Sequence, residues 1–371
     1  KEAEIWNEDK STIPMNFEIK NSHISEKHII PIISGIKLYN NITEINFSSN
    51  SLGEKGCFWL GTIFKTNPNI HYLNLSRCKL NNDCLYMLLE GTLFKDSYLN
   101  DEQYNLERLN LMDNIITDIT NNNFEHPLCL LLRKFKLRWL NLTNAKIGNS
   151  VACKFFSTYL ELMKDKKIFM QTLILISNNI GNEKYLSYLG KIISQNNVST
   201  LENLILSQNS ISTFPEEPEQ KMGTNQNGTT SGILQINQNE KKENIQRTER
   251  YNYFKEFMEK LGDCNVKELY LISCGIGKDQ EDIDILYNML CKNKSLETLN
   301  LFGNEINTME KFTKILGVFN GYDKNLKNDT LKSLDLAENQ CSLKIDENFL
   351  NLIEKLKLEY LDIHQKVIDA D

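Results

Sequence analysis

One pattern of apolar residues recurs along the chain, and a clear copy begins at Ile70. From there, apolar residues stand at the first, fourth and sixth positions, a cysteine at the ninth and a leucine at the eleventh. The alternation of apolar and polar residues around the fourth to sixth positions predicts a short strand with one buried side. Leu88 and Leu89 then follow Leu85 by three and four residues, which is the spacing of an amphipathic helix.

The same frame returns about every 30 residues along the chain. The first positions of its copies are Pro14, Ile42, Ile70, Leu106, Leu137, Met170, Leu201, Val266, Leu296, Leu331 and Leu358. A single strand and helix cannot bury their apolar faces alone, so neighbouring repeats must stack and share one core. The pattern therefore predicts a solenoid of about eleven repeats. Its two terminal repeats should be atypical, and they carry Ser22 and Lys366 at the ninth position.

The template L-x-x-L-x-L-x-x-N/C-x-L resembles that of the leucine-rich-repeat family. The repeat length and the full helix are similar to the ribonuclease-inhibitor type of this family, as is an Ile-Gly turn at three places: Ile147 and Gly148, Ile180 and Gly181, Ile276 and Gly277. The resemblance implies an α/β horseshoe with parallel strands on the concave face and helices on the convex face. It implies almost nothing about activity, because unrelated proteins share this scaffold.

One interval between repeats is much longer than the others. The repeats that begin at 201 and 266 are 65 residues apart, and the additional residues are mostly polar. We therefore expect a capping segment with a degenerate first repeat in residues 1–41 and further repeats in 42–211. A polar insertion in 212–250 should be flexible unless a partner binds it, because its composition cannot form a core. Residues 251–371 should hold the remaining repeats and a C-terminal cap.

The charge of the chain narrows the choice of partners and compartment. The chain has 42 basic and 49 acidic residues, a formal net charge of −7. A nucleic acid or an anionic membrane would have no electrostatic reason to bind such a surface. No apolar stretch is long enough for a membrane span, and residues 1–10 lack the apolar core of a signal peptide. We expect an intracellular, cytoplasmic protein with neither nucleic-acid nor membrane partners.

The residues that could carry chemistry are dispersed. The chain has nine cysteines and five histidines, but it contains no CxxC, no HExxH and no phosphate-binding glycine motif. Cys78 and Cys274 occupy the ninth position of their repeats, where a side chain can satisfy backbone groups of the turn. We therefore expect no catalytic residue, no cofactor, no metal site and no small-molecule substrate. The chain is predicted not to be an enzyme.

The residues between the template positions face the concave side and can be compared from repeat to repeat. In chain order, the fifth position holds Glu18, Asn46, Asn74, Asn110, Asn141, Ile174, Ile205, Tyr270, Asn300, Asp335 and Asp362. The seventh position becomes apolar in the same middle repeats. The predicted protein-binding patch comprises Trp139, Ile174, Ile176, Ile205, Tyr270, Ile272 and Phe302. The alternative explanation is that β-propensity and codon bias favour isoleucine there.

These expectations combine into one functional hypothesis and one alternative. The hypothesis is a non-enzymatic scaffold that binds a protein through its concave face within a larger intracellular assembly. Similar proteins include cytoskeletal and axonemal subunits, such as the leucine-rich-repeat member of the nexin–dynein regulatory complex, so a cilium is one candidate location. The alternative is a Ran-type GTPase-activating protein or another GTPase regulator, although the acidic tail typical of the Ran-type family is not seen in this sequence.

Overall fold

Short strands alternate with helices throughout the part of the chain that the structure describes. The computed structural model describes residues 13–93, 103–119, 124–195, 197–212, 253–319 and 328–365. The predicted insertion 212–250 lies outside these residues except for Ser212, and so do residues 366–371 with the ninth position of the last repeat. Within the described ranges, no helix combines the length and the apolar character needed to cross a membrane.

Each strand coincides with the predicted strand of one repeat. The strands are β1 Met15–Glu18, β2 Ile42–Asn46, β3 Tyr72–Asn74, β4 Arg108–Asn110, β5 Trp139–Asn141, β6 Thr172–Ile174, β7 Asn203–Ile205, β8 Glu268–Tyr270, β9 Thr298–Asn300, β10 Ser333–Asp335 and β11 Tyr360–Asp362. The helices are α1 Glu26–Ile36, α2 Gly53–Gly61, α3 Ile63–Thr66, α4 Asn82–Leu93, α5 Pro127–Lys134, α6 Gly148–Lys164, α7 Tyr185–Ile193, α8 253–261, α9 Gln280–Lys292, α10 Met309–Gly317 and α11 Glu347–Glu354.

The chain divides into two compact units. Unit 1 comprises Lys1–Ile180, Ile192–Asn209 and Asn265–Tyr270, and unit 2 comprises Gly181–Lys191, Ser210–Cys264 and Leu271–Asp371. In unit 1, strands β1 to β8 pair in parallel and in chain order. In unit 2, strands β9 to β11 do the same. Parallel strands separated by helices confirm the predicted α/β leucine-rich-repeat solenoid.

The template residues form the core. Leu73, Leu109 and Leu204, at the fourth position, are 0% exposed, and burying such a side chain is worth roughly 1.5–3 kcal/mol. In the terminal strands, Phe17 and Leu361 at the same position are only half-buried. A terminal strand has a neighbouring repeat on one side only, so its apolar side chains remain partly open.

The turn after each strand is held by the asparagine at the ninth position. The Asn209 Oδ1 accepts the N–H groups of Asn178 and Ile180 at 2.9 and 3.4 Å, and its Nδ2 donates to the carbonyls of Leu175 and Leu206 at 2.7 and 2.8 Å. One side chain thus joins its own strand to the turn of the preceding repeat. Asn50, Asn114 and Asn304 make the equivalent bonds. Asn178 differs in donating to the carbonyl of Ile176, and Asn339 in accepting one N–H group, that of Ile306.

Repeats without this asparagine satisfy the turn in other ways. The Cys78 thiol donates to the carbonyl of Phe47 at 3.1 Å, and burial raises the pKa of this thiol to about 11. Ala145 has no polar side chain, and there the N–H of Ile116 donates to the Ala145 backbone carbonyl at 2.8 Å. The turn therefore depends on hydrogen bonds from the next repeat, whichever group supplies them.

Helices α2 and α4 of unit 1 touch through their backbones at two glycines. A Cβ added to Gly61 would overlap the carbonyl oxygen of Leu88, and one added to Gly91 would overlap that of Phe58. Only a residue without a side chain fits at this crossing. The repeat pattern, which places apolar residues, does not reveal this requirement.

We expect Asn178→Leu to lower the free energy of unfolding by at least about 2 kcal/mol, because each buried backbone group left unpaired costs roughly 1–3 kcal/mol. Asn178 is fully buried and accepts the N–H groups of Ala145 and Ile147. Denaturant unfolding followed by circular dichroism measures the change. The control is Asn288→Leu, which alters an exposed position of α9. Equal midpoints for the two variants would contradict the assigned role.

Gly91→Ala should destabilise the protein by roughly 1–3 kcal/mol or more, since the new methyl group must push α2 and α4 apart. The matched control is Gly35→Ala in α1, where an added Cβ meets nothing within 4 Å. That change should stabilise the chain by about 0.5–1 kcal/mol, because alanine loses less backbone entropy in a helix. Thermal unfolding of both variants gives the comparison, and two shifts of the same sign would argue against the close crossing.

Candidate functional site

The side of the strands opposite the buried template residues is called here the strand face. In unit 1 it consists of the third, fifth and seventh positions of the repeats. In strands β3, β5, β6, β7 and β8 the central residue is buried and its two neighbours are half-buried. This alternation is that of a strand with one covered side, so these neighbours are the residues available to a partner.

The fifth-position row of the strand face changes character between β5 and β6. Register pairing places these residues side by side from β2 to β8: Asn46, Asn74, Asn110, Asn141, Ile174, Ile205 and Tyr270. The row therefore carries amide side chains on four successive strands and large apolar or aromatic side chains on the next three. We call Ile174, Ile205 and Tyr270, together with Ile176, the apolar row.

The amide side chains of this row make a backbone hydrogen bond that the isoleucines cannot make. Each asparagine Oδ1 accepts the N–H two residues later; for Asn141 this is the N–H of Thr143, at 2.9 Å. Such a bond is worth about 0.5–1.5 kcal/mol, and Ile174 and Ile205 cannot make it. The β-propensity of isoleucine offers at most about 1 kcal/mol in return. The two effects are similar in size, so β-propensity gives isoleucine no clear stability advantage over asparagine at these positions.

The predicted patch residues are distributed as follows. Ile174, Ile176, Ile205 and Tyr270 lie in unit 1, half-buried and on one side of neighbouring strands. Trp139 lies in the third-position row, where it pairs with Thr172 of β6. Ile272 and Phe302 are half-buried residues of unit 2, and the carbonyl of Phe302 accepts the N–H of Ser273 at 2.9 Å.

Tyr270 presents a neutral phenol at the end of the apolar row. Its hydroxyl donates to Oε2 of Glu268 at 3.4 Å. Partial burial, and then the Glu268 carboxylate, raise the pKa of Tyr270 above its ordinary value. The side chain therefore keeps its proton at physiological pH and offers a large apolar surface with one polar end, a combination enriched at protein interfaces.

The third-position row contains a feature that the fifth and seventh positions do not reveal. The Arg108 guanidinium lies over the ring of Tyr72 on one neighbouring strand, 4.6 Å from its centroid, and over that of Trp139 on the other, at 5.7 Å. We call these three residues the aromatic–arginine stack. A row-by-row comparison of third positions would have placed them side by side, because the register of the repeats is regular.

Charged residues around the stack are paired. Arg138 lies 3.4 Å from a carboxylate oxygen of Glu107, and His71 lies 3.6 Å from one of Glu44. Further along, the hydrogen bond from Asn144 and then Arg77 hold the pKa of Asp113 below its ordinary value. These pairs leave the face with alternating charge rather than one strongly charged patch.

Metal-ligating groups and cysteine thiols were the other candidates for a chemical site. Over the residues with assigned positions, no group of three or more His, Cys, Asp or Glu side chains is arranged to hold a metal ion. Eight of the nine thiols are buried, and Cys153 is half-buried. The thiol of Cys57 lowers the pKa of Cys84 to about 7 through a hydrogen bond, but Cys84 is only 5% exposed. Cys57 and Cys84 lie in helices α2 and α4 and not in the strands.

No protein-family model and no curated protein matches the chain. Among solved structures it is similar to an internalin of Listeria monocytogenes, with 16% identity over 90% of this chain and 71% of that chain and a TM-score of 0.41. The TLR13–ssRNA13 complex matches with 17% identity over 96% of this chain, which spans only 37% of that chain, and a TM-score of 0.45. The Rad7–Elc1 complex of yeast matches with 14% identity over 92% of this chain and 77% of that chain, and a TM-score of 0.37. The fold assignment rests on the repeats themselves.

Proposed function

We propose that this chain is a non-enzymatic scaffold that binds a protein partner through the strand face of unit 1. The observation that carries the proposal is the apolar row, where Ile174 and Ile205 stand in register with asparagines that the fold uses for hydrogen bonds. Apolar residues that give no net benefit to folding and remain accessible are typical of a surface that a partner covers.

The composition of the strand face favours a protein over a nucleic acid. The chain has a net charge of −7, and Glu44, Glu107 and Glu268 lie on or beside this face. A phosphate backbone would be repelled by this charge. Tyrosine, tryptophan and arginine, which lead the residues that dominate protein interfaces, are all present here as Tyr72, Tyr270, Trp139 and Arg108.

The finer parts of the proposal rest on the resemblance of the repeat. We assign the repeats to the ribonuclease-inhibitor type and the protein to a cytoplasmic assembly, with a cytoskeletal or axonemal complex as the leading candidate. Ile272 and Phe302 of unit 2, which are apolar at the seventh position, extend the set of binding residues. We also propose the division into a cap at 1–41, repeats at 42–211, an insertion at 212–250 and repeats with a cap at 251–371.

We expect the double change Ile174→Asn and Ile205→Asn to weaken partner binding without destabilising the fold. The new amides can make the hydrogen bonds that Asn141 makes on β5, so the unfolding midpoint should stay unchanged. Loss of the apolar contacts should weaken binding by about tenfold or more. The measurement is quantitative mass spectrometry of proteins retained from cell extract by immobilised chain.

The matched control is Ile115→Asn, which removes an isoleucine that is 59% exposed in the loop after β4. The control should retain the same proteins as the unaltered chain. If the double variant retains them equally well, the strand face of unit 1 is not the binding surface. If the double variant unfolds, the strand assignment itself is wrong.

The alternative, a Ran-type activator or another regulator of small GTPases, is tested separately, because no described side chain favours it. A single-turnover assay of GTP hydrolysis across a panel of small GTPases discriminates between the two functions. We expect no acceleration by the chain. A substantial acceleration would contradict a purely structural scaffold.

A further inference from the structure

Arg108 differs from the other arginines that the structure describes. Arg77, Arg133 and Arg138 each lie within 3.4 Å of a carboxylate oxygen. Within the described residues, Arg108 has no carboxylate partner, and its side chain makes no hydrogen bond. It is exposed and lies over two aromatic rings instead. Its charge is therefore held in place but not neutralised.

The guanidinium keeps its hydrogen-bond donors for a ligand, because the Arg108 side chain makes no hydrogen bond within the described residues. Its central carbon lies over the rings of Tyr72 and Trp139, 4.6 and 5.7 Å from their centroids, which are cation–π distances. The N–H donors lie in the plane of the group, and two of them can bind the two oxygens of one carboxylate in parallel. Because the rings on the two neighbouring strands limit the motion of the side chain, a ligand would lose little rotamer entropy of Arg108 on binding.

We propose that Arg108, held between Tyr72 and Trp139, binds an aspartate or glutamate side chain of the protein partner. The proposal rests on the proposed function and adds the chemistry of the partner to it. Glu44 and Glu107 flank the stack: Glu107 is paired with Arg138, and Glu44 lies 3.6 Å from His71, which is charged only when protonated, so Arg108 is the positive charge of the stack that no carboxylate pairs with. One such charge complements one carboxylate, whereas a polyanion would meet the neighbouring acidic groups.

The register places this carboxylate next to the apolar row. Trp139 begins strand β5, and Asn141 at the end of that strand pairs with Ile174 of β6. A partner segment that reaches from Arg108 across Trp139 arrives at Thr172 on β6, and Ile174 lies two residues further along that strand on the same face. The expected recognition element is one acidic residue with apolar residues nearby, so the acid gives specificity and the apolar residues give affinity.

A random-peptide display library selected on the full chain tests the proposal. We expect the retained peptides to share an aspartate or glutamate beside apolar residues. The affinity of one selected peptide should fall by about tenfold or more for Arg108→Gln. It should fall by a smaller factor for Arg108→Lys, which keeps the charge but loses the planar pair of donors. Arg138→Gln removes an arginine already paired with Glu107 and serves as the matched control, with a change of less than about twofold.

A double-mutant cycle with the same peptide separates direct contact from a general effect of charge. Once the acidic residue of the peptide is replaced by its amide, Arg108→Gln should cause no further loss of binding affinity. Tyr72→Leu should weaken binding of the acidic peptide but not binding of its amide form, because the change removes only the aromatic ring that holds the Arg108 guanidinium. The unfolding midpoints of the Arg108 variants should match that of the unaltered chain, since Arg108 is exposed.

Other outcomes overturn the proposal in distinguishable ways. If selected peptides lack acidic residues, or bind Arg108→Gln normally while Ile174→Asn with Ile205→Asn abolishes their binding, the carboxylate site is wrong and the scaffold function stands. Stronger binding of a phosphorylated peptide than of its acidic counterpart would replace the carboxylate with a phosphate. Failure of the unaltered chain to retain any peptide would count against both the carboxylate site and the scaffold function.

Discussion

The structure depends on hydrogen bonds that pass from each repeat to the turn of the one before it. The turn needs left-handed backbone at residues other than glycine, for example at Ser177 and Asn179, both with φ of 55°. Such conformations cost of order 1–3 kcal/mol each. Asn178 and Asn209 offset this cost, because one amide supplies both donors and acceptors to buried backbone groups. Repeats can consequently vary in length and helix sequence while the turn stays the same.

A constant turn keeps the strands of unit 1 in one register. Residues from repeats about 30 positions apart in sequence then stand side by side on the strand face. The buried template positions carry the stability, and the alternating positions are free to vary. The buried core and the proposed binding surface are therefore encoded by different residues of the same strands, so Ile174 can stand in the row of asparagines without loss of the core.

The two features of the strand face have complementary physical roles. In the proposed function, the apolar row supplies area that leaves water on binding, and the aromatic–arginine stack supplies one positive charge. Area alone does not select a partner, because apolar contacts are non-directional. A charge with fixed donors selects by geometry and penalises partners that leave it unpaired. The two features lie on consecutive strands of unit 1, so one short partner segment can reach both.

The sequence by itself determined the repeat frame, the eleven strands, the buried positions and the fifth-position residues that turn apolar. These follow from periodicity, since a strand of period two and a shared core leave one arrangement of buried residues. Only the tertiary structure decided that Arg108 lies between Tyr72 and Trp139, which are 36 and 31 residues away in sequence. The frame places these residues on one row, but whether the guanidinium stacks or pairs with Glu107 depends on side-chain packing. The Gly61 and Gly91 contact was likewise decided by how closely two helices approach, which the spacing of apolar residues does not encode.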